Sequence, residues 1–316
     1  MLTWIYLLLS LAAVVVGAEV LVNGSVAIAR KFKIADFIIG ATIVGIGTSC
    51  PELVVSMVGA IGNNADIAIG NVVGSNICNI LLILGVTALI TPLPILKENV
   101  KFELPYCIGV SFLLCLLVYD FFTATQPMLG RLDGLILLAV FAVYMYLSLR
   151  NGKKGTTSGA EQPDGTPAKE GHRKTIWIVL EILLGLAILI VGSHFFVEEA
   201  VVVARQLGVS DAFISITVLA VGTSLPEFAA SVASAVKKNA QLALGNIIGS
   251  NIFNISFILG VCSQVTPLTA GGIGIFDYGM MMIAVLMPIL FALKGRISRF
   301  GGVFMLAMYV AYLMYL

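Results

Sequence analysis

Two six-residue segments place a proline and a glutamate side by side within strongly apolar sequence. The first is Gly47-Thr48-Ser49-Cys50-Pro51-Glu52, and the second, 175 positions later, is Gly222-Thr223-Ser224-Leu225-Pro226-Glu227. A glutamate inside a membrane is costly and therefore marks a functional site by default. Proline has no N–H to give to the carbonyl four residues earlier, so a helix bends or opens there. We therefore predict two broken helices, each presenting a carboxylate and freed carbonyl oxygens.

Such a set of oxygens is suited to binding a hard cation. Freed carbonyls are tolerated in hydrocarbon only where they face a protein-lined polar cavity. Two glutamates supply the charge that one Ca²⁺ neutralises, and oxygen ligands without His or Cys disfavour zinc, copper and iron. Magnesium, which usually keeps several waters, is disfavoured only weakly. The simpler interpretation is a proline kink whose Glu finds a hydrogen-bond partner, but duplication of the segment favours a cation site.

A second pair of polar segments follows the two glutamates. These are Gly70-Asn71-Val72-Val73-Gly74-Ser75-Asn76-Ile77-Cys78-Asn79 and Gly245-Asn246-Ile247-Ile248-Gly249-Ser250-Asn251-Ile252-Phe253-Asn254. Residues four apart lie one above the other on a helix face, which aligns Ser75 with Asn79. We predict that these segments are also broken and that each half offers one carboxylate, two hydroxyls and a carboxamide. The alternative is close helix packing at glycines with interhelical hydrogen bonds, although neutral polar pairs contribute little to association in membranes.

Composition assigns the chain to a bilayer. Of its 316 residues, 59% are hydrophobic and 11% are charged, whereas a soluble domain is about 45–50% apolar and about 25% charged. Apolar segments long enough to span predict an all-α membrane protein with ten transmembrane helices. Five precede the polar stretch 150–174, which is expected to be a flexible linker, and five follow it. The predicted units are thus a first five-helix repeat at 1–149, the linker at 150–174, and a second repeat at 175–316.

The basic residues predict the orientation. Of the 18 Lys and Arg residues, only Arg131 and Arg205 fall in loops on one side of the predicted membrane. Cytoplasmic loops carry the excess of Lys and Arg. The linker is therefore expected to be cytoplasmic, both termini extracytoplasmic, and the protein an integral component of the plasma (inner) membrane.

The two halves are related by an internal repeat. Residues 36–85 align with 211–260 without a gap, and 24 of the 50 positions are identical. Because each unit contains five predicted spans, the second enters the membrane from the opposite side. Inverted repeats with discontinuous helices at the midplane are typical of secondary transporters.

The duplicated GTS-x-PE and GN-x-x-GSN-x-x-N segments resemble the two alpha repeats of the sodium/calcium exchangers, in the calcium/cation antiporter superfamily. The resemblance implies an antiporter that exchanges Ca²⁺ for Na⁺ by alternating access, with the first and sixth spans as the moving pair. It implies a prokaryotic-type member, because the short linker has no room for a calcium-sensing domain. Potassium-coupled relatives are acidic at the position of Asn254, so potassium coupling is not expected.

The resemblance also assigns the ions to residues. It implies that Glu52 and Glu227 are the central ligands shared by calcium and sodium. It implies that the backbone oxygens of Thr48 and Thr223 also bind calcium, and that Asn79 and Asn254 face the middle of the site. The flanking sodium sites would be formed by four serines and two backbone carbonyls, namely Ser49, Ser75, Ser224, Ser250 and the carbonyls of Gly45 and Ala220.

Three other functions compete with sodium/calcium exchange. Two close carboxylates can hold protons, so the nearest alternative is an H⁺/Ca²⁺ antiporter of the same fold. Whether sodium or protons are exchanged, protons are expected to compete with calcium for these carboxylates. A cation channel would show a continuous pore instead of occlusion. An intramembrane protease needs a nucleophile with a base, yet no His lies beside either serine copy.

We expect no enzyme activity, no cofactor and no nucleic-acid partner, and the oligomeric state is left open.

Overall fold

The computed structural model describes residues 2–62, 65–119, 127–152, 174–207, 222–270 and 273–315, and these are almost entirely helical. In the first half the helices are α1 (Leu2–Phe32), α2 (Asp36–Thr48), α3 (Cys50–Ile61), α4 (Ala65–Cys78, then Asn79–Leu84 and Gly85–Ile90), α5 (Asn99–Glu103 and Leu104–Tyr119) and α6 (Arg131–Gly152). In the second half they are α7 (Thr175–Gln206), α8 (Leu225–Val236), α9 (Ala240–Phe253, then Asn254–Ile258 and Leu259–Val265), α10 (Ile275–Ala292) and α11 (Arg299–Tyr315).

The all-α prediction is confirmed for the part of the chain that the structure describes. Seven helices are long and apolar enough to cross a membrane, and an eighth span results if the bent pair α2 and α3 is counted as one. The apolar helices α8 and α11 are shorter, at 12 and 17 residues. Most of the predicted linker, residues 153–173, lies outside the described residues, and α6 continues three residues beyond the predicted boundary at 149.

The first predicted helix break is present at the Pro-Glu segment. Helix α2 ends at Thr48, α3 begins at Cys50, and their axes differ by 45°. Pro51 lies in the first turn of α3, where its missing N–H costs nothing, and it leaves the carbonyl of Gly47 without its usual donor. Ser49 between the helices has φ −82° and ψ 9°.

The corresponding turn in the second half has the same local geometry. Ser224 has φ −85° and ψ 9°, and Pro226 again occupies the first turn of the helix that follows, α8. The helix expected before this turn falls at 208–221, outside the described residues.

The prediction that the Gly-Asn segments are also broken is wrong. Helices α4 and α9 run without interruption past these residues, and each instead widens into a π-helical stretch that begins at Asn79 or Asn254. Neither segment contains a proline, so every backbone N–H remains available to the helix. Short π-helical insertions are often found at functional sites, because they shift side chains out of the α-helical register.

The glycines of α9 allow an unusually close helix contact. A Cβ on Gly249 would lie 2.2 Å from the carbonyl oxygen of Ala41 in α2, and one on Gly245 would lie 2.1 Å from that of Phe37. The backbones of α9 and α2 therefore touch directly. This confirms the packing interpretation for these two glycines. It does not hold at Gly74, where a Cβ would meet nothing within 4 Å.

The helices form a buried centre and a peripheral pair. In an 18-residue stretch of each helix, 94% of the residues of α9 and 72% of those of α4 are buried, whereas the share is 33% in α1, 28% in α7 and 22% in α6. Helices α1 and α7 pack along each other in antiparallel directions, since Gly17 approaches Leu189 while Gly185 approaches Leu21. The large core lies between the central helices and α5, α10 and α11, away from this pair.

Two short strand ladders connect the halves. Strand β1 (Leu93–Pro94) pairs with β4 (Arg296–Ile297), and β2 (Met128–Leu129) pairs with β3 (Leu268–Thr269), both antiparallel. Each ladder joins a loop of one half to a loop of the other. Two-residue strands carry no periodic pattern, so these ladders could not be predicted from the sequence.

Candidate cation site

The two glutamates are held by serines from opposite halves of the chain. Both carboxylates are completely buried. Ser224 donates to Glu52 Oε1 at 3.0 Å, and Ser49 donates to Glu227 Oε1 at 2.7 Å. Ser49 lies in the turn before α3 and contacts Glu227 of α8. Ser224 lies in the turn before α8 and contacts Glu52 of α3. The structure therefore brings both predicted carboxylates to one crossing point, and Oε2 of each has no hydrogen-bond partner among the described residues.

Two asparagines that the sequence analysis gave no role hold the glutamate backbones. Asn71 donates to the carbonyl oxygen of Glu52 at 3.2 Å and to Ser56 at 3.0 Å. In the second half Asn246 makes the same two contacts, with Glu227 at 3.2 Å and Ser231 at 2.9 Å. Both asparagines belong to the Gly-Asn pair of the repeated motif. The presence of Asn at the same position of both repeats was the sequence feature that could have identified them.

The predicted threonines reach these asparagines across the interface. The hydroxyl of Thr48 lies 3.2 Å from Asn246 Oδ1, and that of Thr223 lies 3.5 Å from Asn71 Oδ1. Thr48 also lies within hydrogen-bond distance of the carbonyl oxygen of Val44, one turn earlier. Thr48, at the end of α2, thus contacts α9, and Thr223, just before α8, contacts α4.

The predicted flanking residues are partly assembled in the structure. Ser250 donates to the carbonyl oxygen of Gly45 at 3.2 Å, so these two lie side by side. Ser75 is buried and its hydroxyl has no partner within the described residues. Ala220, the repeat counterpart of Gly45, is not among the residues that the structure describes.

The carboxamides of Asn79 and Asn254 are fully buried, and each is anchored only at its nitrogen. Asn79 donates to Asn251 Oδ1 at 2.9 Å, and Asn254 donates to Asn76 Oδ1 at 3.2 Å. The Oδ1 atoms of Asn79 and Asn254 have no hydrogen-bond partner in the described part of the chain. The two halves again make equivalent contacts.

Several buried acceptors at this site have no hydrogen-bond partner in the part of the chain that the structure describes. Four oxygens share this state, namely Oε2 of Glu52 and Glu227 and Oδ1 of Asn79 and Asn254. A buried acceptor without a partner is destabilising, and an uncompensated buried carboxylate is more so. No Lys, Arg or His is buried anywhere in the described residues, so the compensating charge does not come from a buried side chain. A cation or protons would satisfy these oxygens.

The ligand chemistry matches a hard cation. Within the described ranges no three His, Cys, Asp or Glu side chains cluster as they do in transition-metal sites. The available groups are carboxylate, carboxamide, hydroxyl and carbonyl oxygens, which suit calcium and other hard ions.

Comparison with known proteins agrees with this chemistry. The family model described as sodium/calcium exchanger protein matches residues 2–150 and 177–316. CaxA of Alkalimonas amylolytica is 39% identical over 98% of this chain and 96% of its own length. The sodium/calcium exchanger MaX1 of Methanosarcina acetivorans is 34% identical over 99% of this chain and 98% of its own. A solved structure of the sodium-calcium exchanger NCX_Mj superposes with a TM-score of 0.83 at 34% identity and covers 100% of this chain and 99% of that one.

Proposed function

The chain belongs to the sodium/calcium exchanger family, and on that premise we propose that it exports Ca²⁺ in exchange for Na⁺ across the plasma membrane. The family consists of membrane transporters, and the two matched stretches leave only 151–176 between them, too few residues for a folded regulatory domain. The observation that carries the proposal is the duplicated set of buried oxygens around Glu52 and Glu227 that find no partner within the described ranges.

The proposed ligands divide into a central and a flanking group. The central cation is held by the free oxygens of Glu52 and Glu227, with the backbone oxygens of Thr48 and Thr223. Sodium ions occupy flanking positions built from Ser49, Ser75, Ser224, Ser250 and the carbonyls of Gly45 and Ala220, and Asn79 and Asn254 lie between. The contact of Ser250 with the carbonyl of Gly45 supports one flanking position.

The same proposal includes ten spans in two inverted halves. Eight spans come from the seven long helices and the bent pair, and α8 and α11 supply the other two. The proposed repeats are 1–149 and 175–316, joined by a cytoplasmic linker at 150–174. The antiparallel packing of α1 on α7, which occupy corresponding places in the two halves, supports the inversion. Both termini are then extracytoplasmic.

Helices α3 and α8, which correspond in the two halves, are not equally covered, and the difference indicates which side is open. Ala230 of α8 is fully buried in the cluster that contains the packed face of α1, whereas its repeat counterpart in α3, Val55, is 38% exposed. Under the proposed orientation the α1 and α8 contact closes the cytoplasmic side. We infer an outward-facing state, from which α1 and α7 would slide together to expose the opposite side.

Lys237, at the cytoplasmic end of α8, stabilises the contact between α8 and α1 that closes this side. Lys237 Nζ lies 2.5 Å from Asn23 Oδ1 and 3.5 Å from Glu19 Oε1, both on α1. We expect Lys237→Gln to shift the population towards the inward-facing state by no more than about fivefold, because half-exposed ion pairs contribute only about 0.2–1 kcal/mol. Distances between spin labels at the exposed Phe32 and Val236 would report the shift.

The matched control for this prediction is Lys238→Gln. It removes the same charge from the same loop but leaves the contacts of Lys237 with α1 in place. Identical distance distributions for the two variants would contradict the role given to Lys237.

Calcium uptake into proteoliposomes tests the proposed function itself. The purified protein would be compared under an imposed sodium gradient, an imposed proton gradient, and no gradient. Uptake driven by sodium alone is the expected result. Uptake driven only by protons would assign the H⁺/Ca²⁺ antiporter, and flux that needs no counter-ion and does not saturate would indicate a channel.

Protons are expected to compete with calcium for the two glutamates. With no cation bound, the like charges of two buried carboxylates oppose each other, so a proton is favoured at the pair. Lowering the external pH from about 8 to about 5 should therefore weaken apparent calcium affinity, and saturating calcium should restore the maximal rate. The measurement is calcium-dependent flux at several calcium concentrations for each pH. An affinity that stays constant over this range would show that protons do not share the site.

A further inference from the structure

Four asparagines form a reciprocal hydrogen-bonded set where α4 meets α9. Asn76 donates from Nδ2 to the backbone oxygen of Asn251 at 3.1 Å, and Asn251 donates to the backbone oxygen of Asn76 at 3.2 Å. The Oδ1 of each of these two side chains accepts from the carboxamide of Asn79 or Asn254, as described above. Asn76 and Asn251 are both 2% exposed, so water does not offer them an alternative partner.

The backbone carbonyls fix the direction of this set. An asparagine side chain can turn over and exchange its oxygen with its nitrogen, but a carbonyl oxygen can only accept. Asn251 must therefore direct its NH₂ group to the carbonyl of Asn76, which leaves its Oδ1 towards Asn79. Asn79 in turn must direct its NH₂ group to Asn251, so that its own Oδ1 is the atom left free.

We propose that Asn76 and Asn251 are positioning residues that keep the oxygens of Asn254 and Asn79, not their NH₂ groups, available to the transported cation. This inference rests on the proposed cation site. A carboxamide in the opposite orientation would present two N–H donors to a positive ion and would repel it. Each such relay runs from a backbone carbonyl of one half, through an asparagine side chain of the other half, and back to a ligand of the first. Correct orientation of both ligands therefore requires the two halves to stay in register.

A double-mutant cycle on Asn79 and Asn251 tests the relay. Asn251→Ala should raise the KM for calcium roughly tenfold, as expected for the loss of one hydrogen bond that supports a contact with a charged group. Asn79→Asp alone should also be harmful, because a carboxylate oxygen would then face Asn251 Oδ1, and Asn251 cannot turn over without opposing the carbonyl of Asn76. A carboxylate has no wrong orientation, so with Asn251→Ala present the same Asn79→Asp change should restore the KM.

The readout is the sign of the coupling between the two changes. A double variant with a lower KM than either single variant, at a similar maximal rate, supports the relay. Additive damage, or damage greater than additive, overturns it, because asparagines that merely pack the helices offer no route to rescue. The mirror substitution, Asn76→Ala, provides an independent copy if a variant of the first cycle does not fold: it should raise the KM for calcium, and adding Asn254→Asp should restore it. A KM that Asn254→Asp does not restore would overturn the relay.

Failure of the relay can be separated from failure of the proposed function. If the cycle is additive but the Glu52→Gln variant has lost calcium transport, the cation site stands and the relay is wrong. If Glu52→Gln transports normally, the site itself is wrong.

Discussion

Glu52→Gln and Glu227→Gln are each expected to reduce calcium transport by at least about a hundredfold while the protein still folds and inserts. Each carboxylate supplies half of the charge that compensates one Ca²⁺, and a charge buried without its partner is penalised by about 3–5 kcal/mol. The fold should tolerate the change. Gln keeps an acceptor for the serine that now binds Oε1, and it removes a buried negative charge that no buried basic side chain among the described residues balances.

Thermal unfolding gives a second readout of the same substitutions. A ligand that binds only the folded protein raises its stability by RT ln(1 + [L]/Kd). Calcium should therefore raise the unfolding temperature of the wild type but not of either Gln variant. Without added cation, the variants should unfold at the wild-type temperature or above it, because repulsion between the two carboxylates is relieved.

Glu103 provides the matched control for the glutamate substitutions. It is also buried, at the contact of α5 with α6, but both of its oxygens have hydroxyl partners, Tyr144 at 3.0 Å and Ser148 at 3.2 Å. Gln can keep both contacts, so Glu103→Gln should retain transport and the calcium-induced stabilisation. Near wild-type flux in Glu52→Gln or Glu227→Gln would contradict the proposed site.

Gly249→Ala is expected to lower stability and transport together. The added methyl group would lie 2.2 Å from the carbonyl oxygen of Ala41 and 2.4 Å from its Cα. Both are backbone atoms, so the clash can be relieved only by separating α9 from α2. Overpacking of this kind costs about 1–3 kcal/mol or more. The separation would also move Ser250, the next residue, away from the carbonyl of Gly45.

The comparison for this prediction is Gly279→Ala in α10, where a Cβ meets nothing within 4 Å. There the change should be neutral or slightly stabilising, because alanine favours a helix over glycine by up to about 1 kcal/mol. Unfolding temperature in detergent and calcium flux in proteoliposomes would be measured for both variants. Equal behaviour of the two would show that the close approach of α9 and α2 is not required.

Much of the molecule could be predicted from the sequence because the relevant signals are local or repeated. Apolar run length and composition are sufficient to assign a membrane protein, and Pro51 is sufficient to predict the bend between α2 and α3. Duplication identified the two glutamates and the polar segments around them. It also carried the resemblance to the exchanger family, which the comparisons confirm.

The main error came from interpreting glycine and asparagine as signs of a broken helix. In α4 and α9 these residues lie in continuous helices that widen at Asn79 and Asn254. A π-helical turn differs from an α-helical one by a single residue in its hydrogen-bonded ring. The side-chain types alone do not distinguish the two, whereas a proline removes a donor in any context.

The sequence by itself determined the membrane environment, the repeat, the proline turns and the types of oxygen that a cation could use. Only the tertiary structure decided which oxygen meets which partner. Ser49 contacts the glutamate 178 residues away, and Asn79 contacts an asparagine 172 residues away. Such pairs depend on how the two halves are packed against each other, and helix periodicity describes only neighbours within one helix. The free oxygens of the site are those that remain after the partners from the other half have been assigned.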